Sequence, residues 1–209
     1  MMLPVHALVG MVLMIPVGAV APEFAGVALW GGLVGGVVPD LDMVVAHRKT
    51  LHFPTYYSVL AGGSVVLALL VPTALTVAAM AALVGAAVHS VMDILGGGLS
   101  LRPWEATSDR AVYDHYRQHW YAPKRWVRYD GSPEGLVLTL LLGAVLWTVV
   151  DGALRWPVVA SVVVAVVYTA VRRRLPTLGQ QVVQRVLEPL LPNRLLRYLP
   201  AHLLSDRDT

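Results

Sequence analysis

Apolar residues in this chain of 209 residues come in long blocks, and the polar residues gather between the blocks instead of alternating with them. Six apolar runs stand out, at residues 5–21, 24–39, 55–71, 74–94, 135–151 and 156–171. They are separated by Pro22, by a polar cluster after Pro39, by Pro72, by a polar stretch from Gly96 to Pro133 and by Gly152 to Pro157. A helix needs roughly 17 to 25 apolar residues to cross a bilayer, so each run predicts a transmembrane helix or one close to that length. Several are short for helices with lipid on all sides. Their Gly, Ala and Val content permits close packing, which predicts an all-α, polytopic membrane helical bundle of about six apolar helices. Residues 1–172 would form this domain, with a cytoplasmic loop at 95–134, and residues 173–209 a cytoplasmic amphipathic tail.

Composition agrees with that pattern. The chain is 56% hydrophobic and 14% charged, with a mean hydropathy of +0.63, whereas soluble domains carry roughly 25% charged residues. Cysteine is absent, which excludes disulfides, thiolate metal sites and cysteine nucleophiles and leaves His, Asp, Glu or backbone oxygen as metal ligands. The start, Met1 to His6, has no basic region and no small-residue cleavage site after the apolar stretch, so the first run reads as a retained transmembrane segment.

The distribution of positive charge tests the topology, because short cytoplasmic loops retain Lys and Arg. Six spans place fifteen of the sixteen basic residues on one face and leave only Arg155 on the other. Both termini are then cytoplasmic, in a cytoplasmic or inner membrane. The sequence pI of about 9.4 follows from this asymmetry and from attraction to anionic lipid headgroups. Membrane lipid is the expected partner; nucleic acid is not needed to explain the charge, and the oligomeric state is left open.

The same topology collects the ionisable residues at one depth. His6 opens the first span, Asp40, Asp42, His47 and His52 follow the second, and His89 and Asp93 end the fourth, all at the cytoplasmic side. Ionisable groups at the edge of an apolar bundle are costly unless paired or metal-bound. Asp40 and Asp42 could each simply cap a helix, but the seven together read as metal ligands. The expected cofactor is a divalent metal, zinc with manganese or magnesium as alternatives, and seven ligands point to two ions. Some of the seven could instead orient a ligand imidazole. Metal-activated water would attack a phosphoryl or acyl group, with Arg48 or Lys49 steadying the developing negative charge.

These motifs carry a family resemblance. An early His6, the Pro39-Asp40-Leu41-Asp42 and His47-Arg48-Lys49-Thr50-Leu51-His52 block, then His89-Ser90-Val91-Met92-Asp93 and the Gly96-Gly97-Gly98 turn resemble the YdjM-like family of membrane-bound metal-dependent hydrolases. The resemblance covers roughly the first half of the chain. It implies an all-α membrane fold distantly similar to zinc-dependent phospholipase C and P1-type nucleases, and therefore a phosphoester or lipid substrate. The chain departs from the family pattern at Leu51-His52-Phe53, where Thr-His-Ser is common, and at Leu95-Gly96, where Thr-Pro precedes the glycine. Both departures remove hydroxyls near the site.

The loop at 95–134 mixes aromatic and basic residues, a pattern suited to the headgroup layer. A sharper reading makes it a lid that contributes His115 and His119, which at i and i+4 on a helix would bind metal or act as general acids, oriented by Asp109 and Asp114. In the tail, Val183, Val186, Leu187, Leu190, Leu191, Leu195 and Leu199 recur near helical spacing. The alternatives to a hydrolase are a non-enzymatic membrane protein with a structural metal site and a metal or ion transporter. A transporter would place its ionisable groups near the bilayer midplane.

Overall fold

A computed structural model of the chain describes residues 1–190 and residue 194. Each of the six apolar runs is helical. Four helical segments are long and apolar enough to cross a membrane: Leu3–Val20, Pro22–Val44, Ala74–Leu95 and Gly152–Val171. The other two, Pro54–Leu70 and Pro133–Trp147, are apolar but shorter. The described chain is therefore a mostly helical bundle with four candidate spans.

Local chemistry explains the boundaries. The first run is broken into α1 (Leu3–Val12) and α2 (Ile15–Val20), because Pro16 cannot donate to the preceding turn and its ring clashes with it. α3 (Ala25–Val37) continues into a 3-10 turn, Val38–Val44, at Pro39. Proline also opens α4 (Pro54–Leu70) and α6 (Pro133–Trp147) at their first position, where its missing N–H costs nothing. α5 (Ala74–Leu95) starts on a capping box between Thr73 and Thr76. α7 (Arg155–Val171) follows a left-handed Gly152.

α1, α3 and α5 form the centre, with α4 against α5 and α6 against α1. Backbone closeness is what glycine provides here. A Cβ on Gly10 would collide with the Gly32 carbonyl, and one on Gly36 with the His6 carbonyl. With no side chain between them, α1 and α3 approach until His6 lies beside the polar turn that ends α3. Leu8, Met11, Ala28, Met80, Ala81 and Leu146 fill the core away from that end. The outer sides of α4, α6 and α7 leave Leu69, Leu70, Leu141, Val163 and Val167 half or more exposed. Apolar surface this extensive is unusual on a water-soluble monomer and suits contact with lipid.

The stretch between α5 and α6 adds a small β element to the all-α expectation. β1 (Val112–Asp114) pairs antiparallel with β2 (His119–Tyr121), with Tyr113 opposite Trp120. The chain divides into two compact units, Met1–Thr169 and Ala170–Thr209. Within the second, α8 (Leu175–Val182) leads through a π-helical turn, Val183–Leu187, into the short α9 (Glu188–Leu190). The expected apolar positions Leu191, Leu195 and Leu199 lie outside the described residues.

Candidate metal centre

The loop from Asp42 to His52 is organised around one carboxylate. Asp42 Oδ1 accepts from the backbone N–H of Arg48 at 3.3 Å, and Oδ2 from those of Lys49 and Leu51 at 3.2 and 3.1 Å. Arg48 turns through a left-handed conformation, φ 60°, which aims successive amides into one concavity. The same two oxygens hold the imidazoles of His47 and His52 by their Nδ1 atoms, at 3.0 and 2.9 Å. Asp42 is thereby fully engaged, and its work is to fix the loop and the tautomer of His52.

His89, on α5, is fixed by a different device. Its Nδ1 lies 2.7 Å from the Gly36 carbonyl; a carbonyl only accepts, so Nδ1 carries the proton and Nε2 presents a lone pair. His52 is oriented alike by Asp42. The two Nε2 atoms then face two carboxylates. His52 Nε2 is 3.2 Å from Asp93 Oδ2 and 3.6 Å from Asp40 Oδ1, while His89 Nε2 is 3.3 Å from Asp40 Oδ1 and 3.7 Å from Asp93 Oδ2. His52 Nε2, His89 Nε2 and Asp93 Oδ2 are buried without a hydrogen-bond partner.

Buried acceptors that face one another repel, here offset only at Asp93 by Arg48 and the Met1 ammonium, and each unmade hydrogen bond costs about 1–3 kcal/mol. A cation among them reverses the sign of that interaction. Ligand atoms from Asp40, His52, His89 and Asp93 all lie within 4.8 Å of one another, and this buried group could hold a metal ion. Two imidazoles and two carboxylates make a donor set suited to a divalent ion such as zinc. Outer partners that anchor the far nitrogen of each histidine, here Asp42 and Gly36, are the usual accompaniment of metal-ligating imidazoles. Outside the spans, His52 sits above its ordinary pKa: burial lowers it, but Asp93 and Asp42 outweigh burial by favouring the imidazolium. A proton and a metal ion would thus compete for the same place.

The remaining sequence candidates take up positions around this group. His6 lies with Nε2 3.0 Å from Asp93 Oδ1 and stacks on His89 with ring centroids 3.8 Å apart, leaving its Nδ1 buried and unpartnered. His47, about a third exposed, is 3.0 Å from Asp42 and 3.9 Å from Asp40. Arg48 is buried; it donates to the Gly97 carbonyl at 2.6 Å, and its Nε is 3.4 Å from Asp93 Oδ2. The α-amino group of Met1 also bonds to Asp93. Sequence reading missed the carbonyls of Gly36 and Gly97, since a backbone acceptor leaves no mark in residue type. The one available signal was Gly97, inside the Gly96-Gly97-Gly98 turn.

His115 and His119 require a correction. They do not share a helix face: His119 lies on β2 and His115 in the hairpin turn before it, because Gln118 adopts a left-handed conformation that closes the turn. His115 packs at a tilt against Phe53 with centroids 4.6 Å apart and His119 edge-on against Tyr121 at 4.8 Å, and neither belongs to the four-residue group. Nor does Asp114 bond to either ring. It accepts instead from Thr55, Tyr121 and the backbone N–H groups of Tyr116 and Arg117. Asp109 is exposed and faces Arg125 at 3.6 Å.

No protein-family model matches the chain, and no significant match is found among curated proteins or among solved structures.

Proposed function

We propose that this protein is a membrane-embedded, metal-dependent hydrolase that cleaves a phosphoester at the cytoplasmic face, a member of the YdjM-like family its motifs resemble. One observation carries the reading: two oriented imidazole nitrogens and two carboxylates converge in one buried group, and His52 Nε2, His89 Nε2 and Asp93 Oδ2 have no hydrogen-bond partner there. Asp40, His52, His89 and Asp93 would hold one divalent ion, zinc by the chemistry of the donor set. When bound, such an ion polarises a phosphoryl oxygen and makes water a competent nucleophile near neutral pH.

The protein's own groups supply orientation and charge. Asp42 and the Gly36 carbonyl hold the two imidazoles in their ligating tautomers. Arg48, tethered to the Gly97 carbonyl and paired through Nε with Asp93, would meet the negative charge that develops on a phosphoryl group. His47, the most exposed of these histidines, provides a titratable group on the accessible side of Asp40. The group lies at helix ends, in the turn after α3, the loop before α4 and the last two turns of α5. That edge position supports a surface-facing site over a midplane transport pathway.

Elemental analysis of the purified full chain tests the reading. About one divalent ion per chain is expected, lost in Asp40→Asn and His89→Gln variants; a metal-free parent, or unchanged content in both variants, overturns it. Two ions per chain would restore the binuclear expectation and bring His6 and His47 back as ligands. Phosphodiester and phospholipid hydrolysis by the loaded protein, absent in the same variants, tests the reaction.

A further inference from the structure

The 3-10 turn that ends α3 has two unlike faces. Pro39, Asp40 and Asp42 are buried. Leu41, Met43, Val44 and the following Val45 point out, with 61%, 67%, 90% and 76% of their surface exposed. Four large apolar side chains in five consecutive residues thus stand in the open, covalently beside Asp40, the most accessible member of the buried group. In water this arrangement leaves four large apolar side chains wet. Nothing within the described part of the chain covers them.

What surrounds this lip indicates its occupant. Two residues beyond it the chain turns basic, with His47, Arg48 and Lys49. The hairpin is fastened to that loop by the Tyr113 N–H, which donates to the Arg48 carbonyl at 3.0 Å. On the hairpin, Lys49 lies over the Tyr113 ring at 4.6 Å and Arg110 over Trp120 at 5.8 Å. An apolar lip, then cations laid on aromatic rings, reproduces the order of a bilayer boundary, acyl region first and phosphate layer next.

We propose that the lip formed by Leu41, Met43, Val44 and Val45 is immersed in the bilayer and admits a phosphate-bearing lipid sideways. The acyl chains rest on these four residues, and the phosphoester faces Asp40 and Arg48. The lipid assignment deepens the hydrolase reading and rests on it; immersion of the lip does not. A water-soluble phosphoester would present nothing for the four side chains to bind, and its site would need no apolar rim.

Two measurements on the full chain separate these claims. Because cysteine is absent, Val44→Cys can carry a single nitroxide label in vesicles of phosphatidylcholine and phosphatidic acid. References are Leu69→Cys on α4, where Leu69 is 78% exposed, and Asp109→Cys, where the Asp109 side chain is 88% exposed. The Val44 label is expected to relax with oxygen, like Leu69; relaxation by a water-soluble nickel chelate, like Asp109, or shielding from both reagents by a second copy, overturns immersion. In the second, the protein is loaded with cobalt and its visible absorption is followed on addition of phosphatidic acid or glycerol phosphate. Phosphatidic acid is expected to perturb the band at about tenfold lower concentration, and the combined Met43→Gln, Val44→Asn and Val45→Asn variant to lose that preference with its cobalt band intact. Equal potency, or a preference the variant keeps, overturns the lipid assignment. Failure to bind cobalt removes the metal reading and the substrate with it, while the label still decides the lip.

Discussion

Two regions of this protein hold a pair of histidines with aspartates close by in sequence, and their fates are opposite. In the loop at 42–52 and the end of α5, His52 and His89 are pinned by acceptors at Nδ1, so their Nε2 atoms converge on Asp40 and Asp93 with nothing to bond to. In the hairpin, Asp114 spends its oxygens on Thr55, Tyr121 and two backbone amides, and His115 and His119 pack against aromatic rings. The contrast shows that spacing makes a candidate and unspent lone pairs make a site. A histidine whose neighbours leave one nitrogen buried and unmatched is poised for a cation.

The contrast breaks most directly at the ligands themselves. Asp93→Asn and His89→Gln are expected to lower metal affinity by more than about 100-fold, whereas His115→Ala and His119→Ala leave it unchanged; isothermal titration with zinc in detergent reads both. Loss of metal in the hairpin variants would erase the distinction. Asp42→Asn should cost about 10–100-fold, because it removes the outer partner of His52 and leaves the ligands in place. A loss as complete as that of His89→Gln would make Asp42 itself a ligand.

Packing sharpens the comparison at a smaller scale. Gly36→Ala drives a methyl into the His6 carbonyl and displaces the acceptor that orients His89. It should destabilise the bundle by about 1–3 kcal/mol and weaken metal binding, measured by thermal unfolding with and without zinc. Gly62→Ala on α4 meets nothing within 4 Å and should stabilise by about 0.5–1 kcal/mol without touching metal affinity.

The smallest effect concerns pH and the hairpin. Burial raises the Asp114 carboxyl, but hydrogen bonds from Thr55 and from the Arg117 and Tyr116 amides outweigh it and hold the group below its ordinary value. A carboxylate depressed in the folded state stabilises fully above its unfolded pKa of about 3.9 and loses that contribution as pH falls through the lower folded value. Hairpin order, followed by Trp120 fluorescence, should thus decline only on acidification below about pH 4, and Asp114→Asn should flatten that decline.

The positions of the helices were legible because apolar run length and proline placement are local facts: runs at 55–71 and 74–94 correspond to Pro54–Leu70 and Ala74–Leu95. The break at Pro16 and the small hairpin were readable only in part. Pro16 sat inside an unbroken apolar run, and three-residue strands give too little alternation to register. At the centre, residue type and depth brought out His52, His89, Asp40 and Asp93, but nothing in the spacing separated them from Asp42, His47 or His6.

What sequence alone determined is where charge interrupts hydrophobicity, and hence which helices form and which ends carry ionisable groups, since both depend on neighbours along the chain. Tertiary structure decided how each carboxylate is spent. Asp40 and Asp42 are two residues apart and chemically identical, yet one faces two imidazole lone pairs and the other is consumed by three amides and two rings. That division depends on Gly36 letting α1 approach α3 and on the left-handed turn at Arg48. A hydrogen-bond partner is fixed by distance in space, and only the folded chain sets that distance.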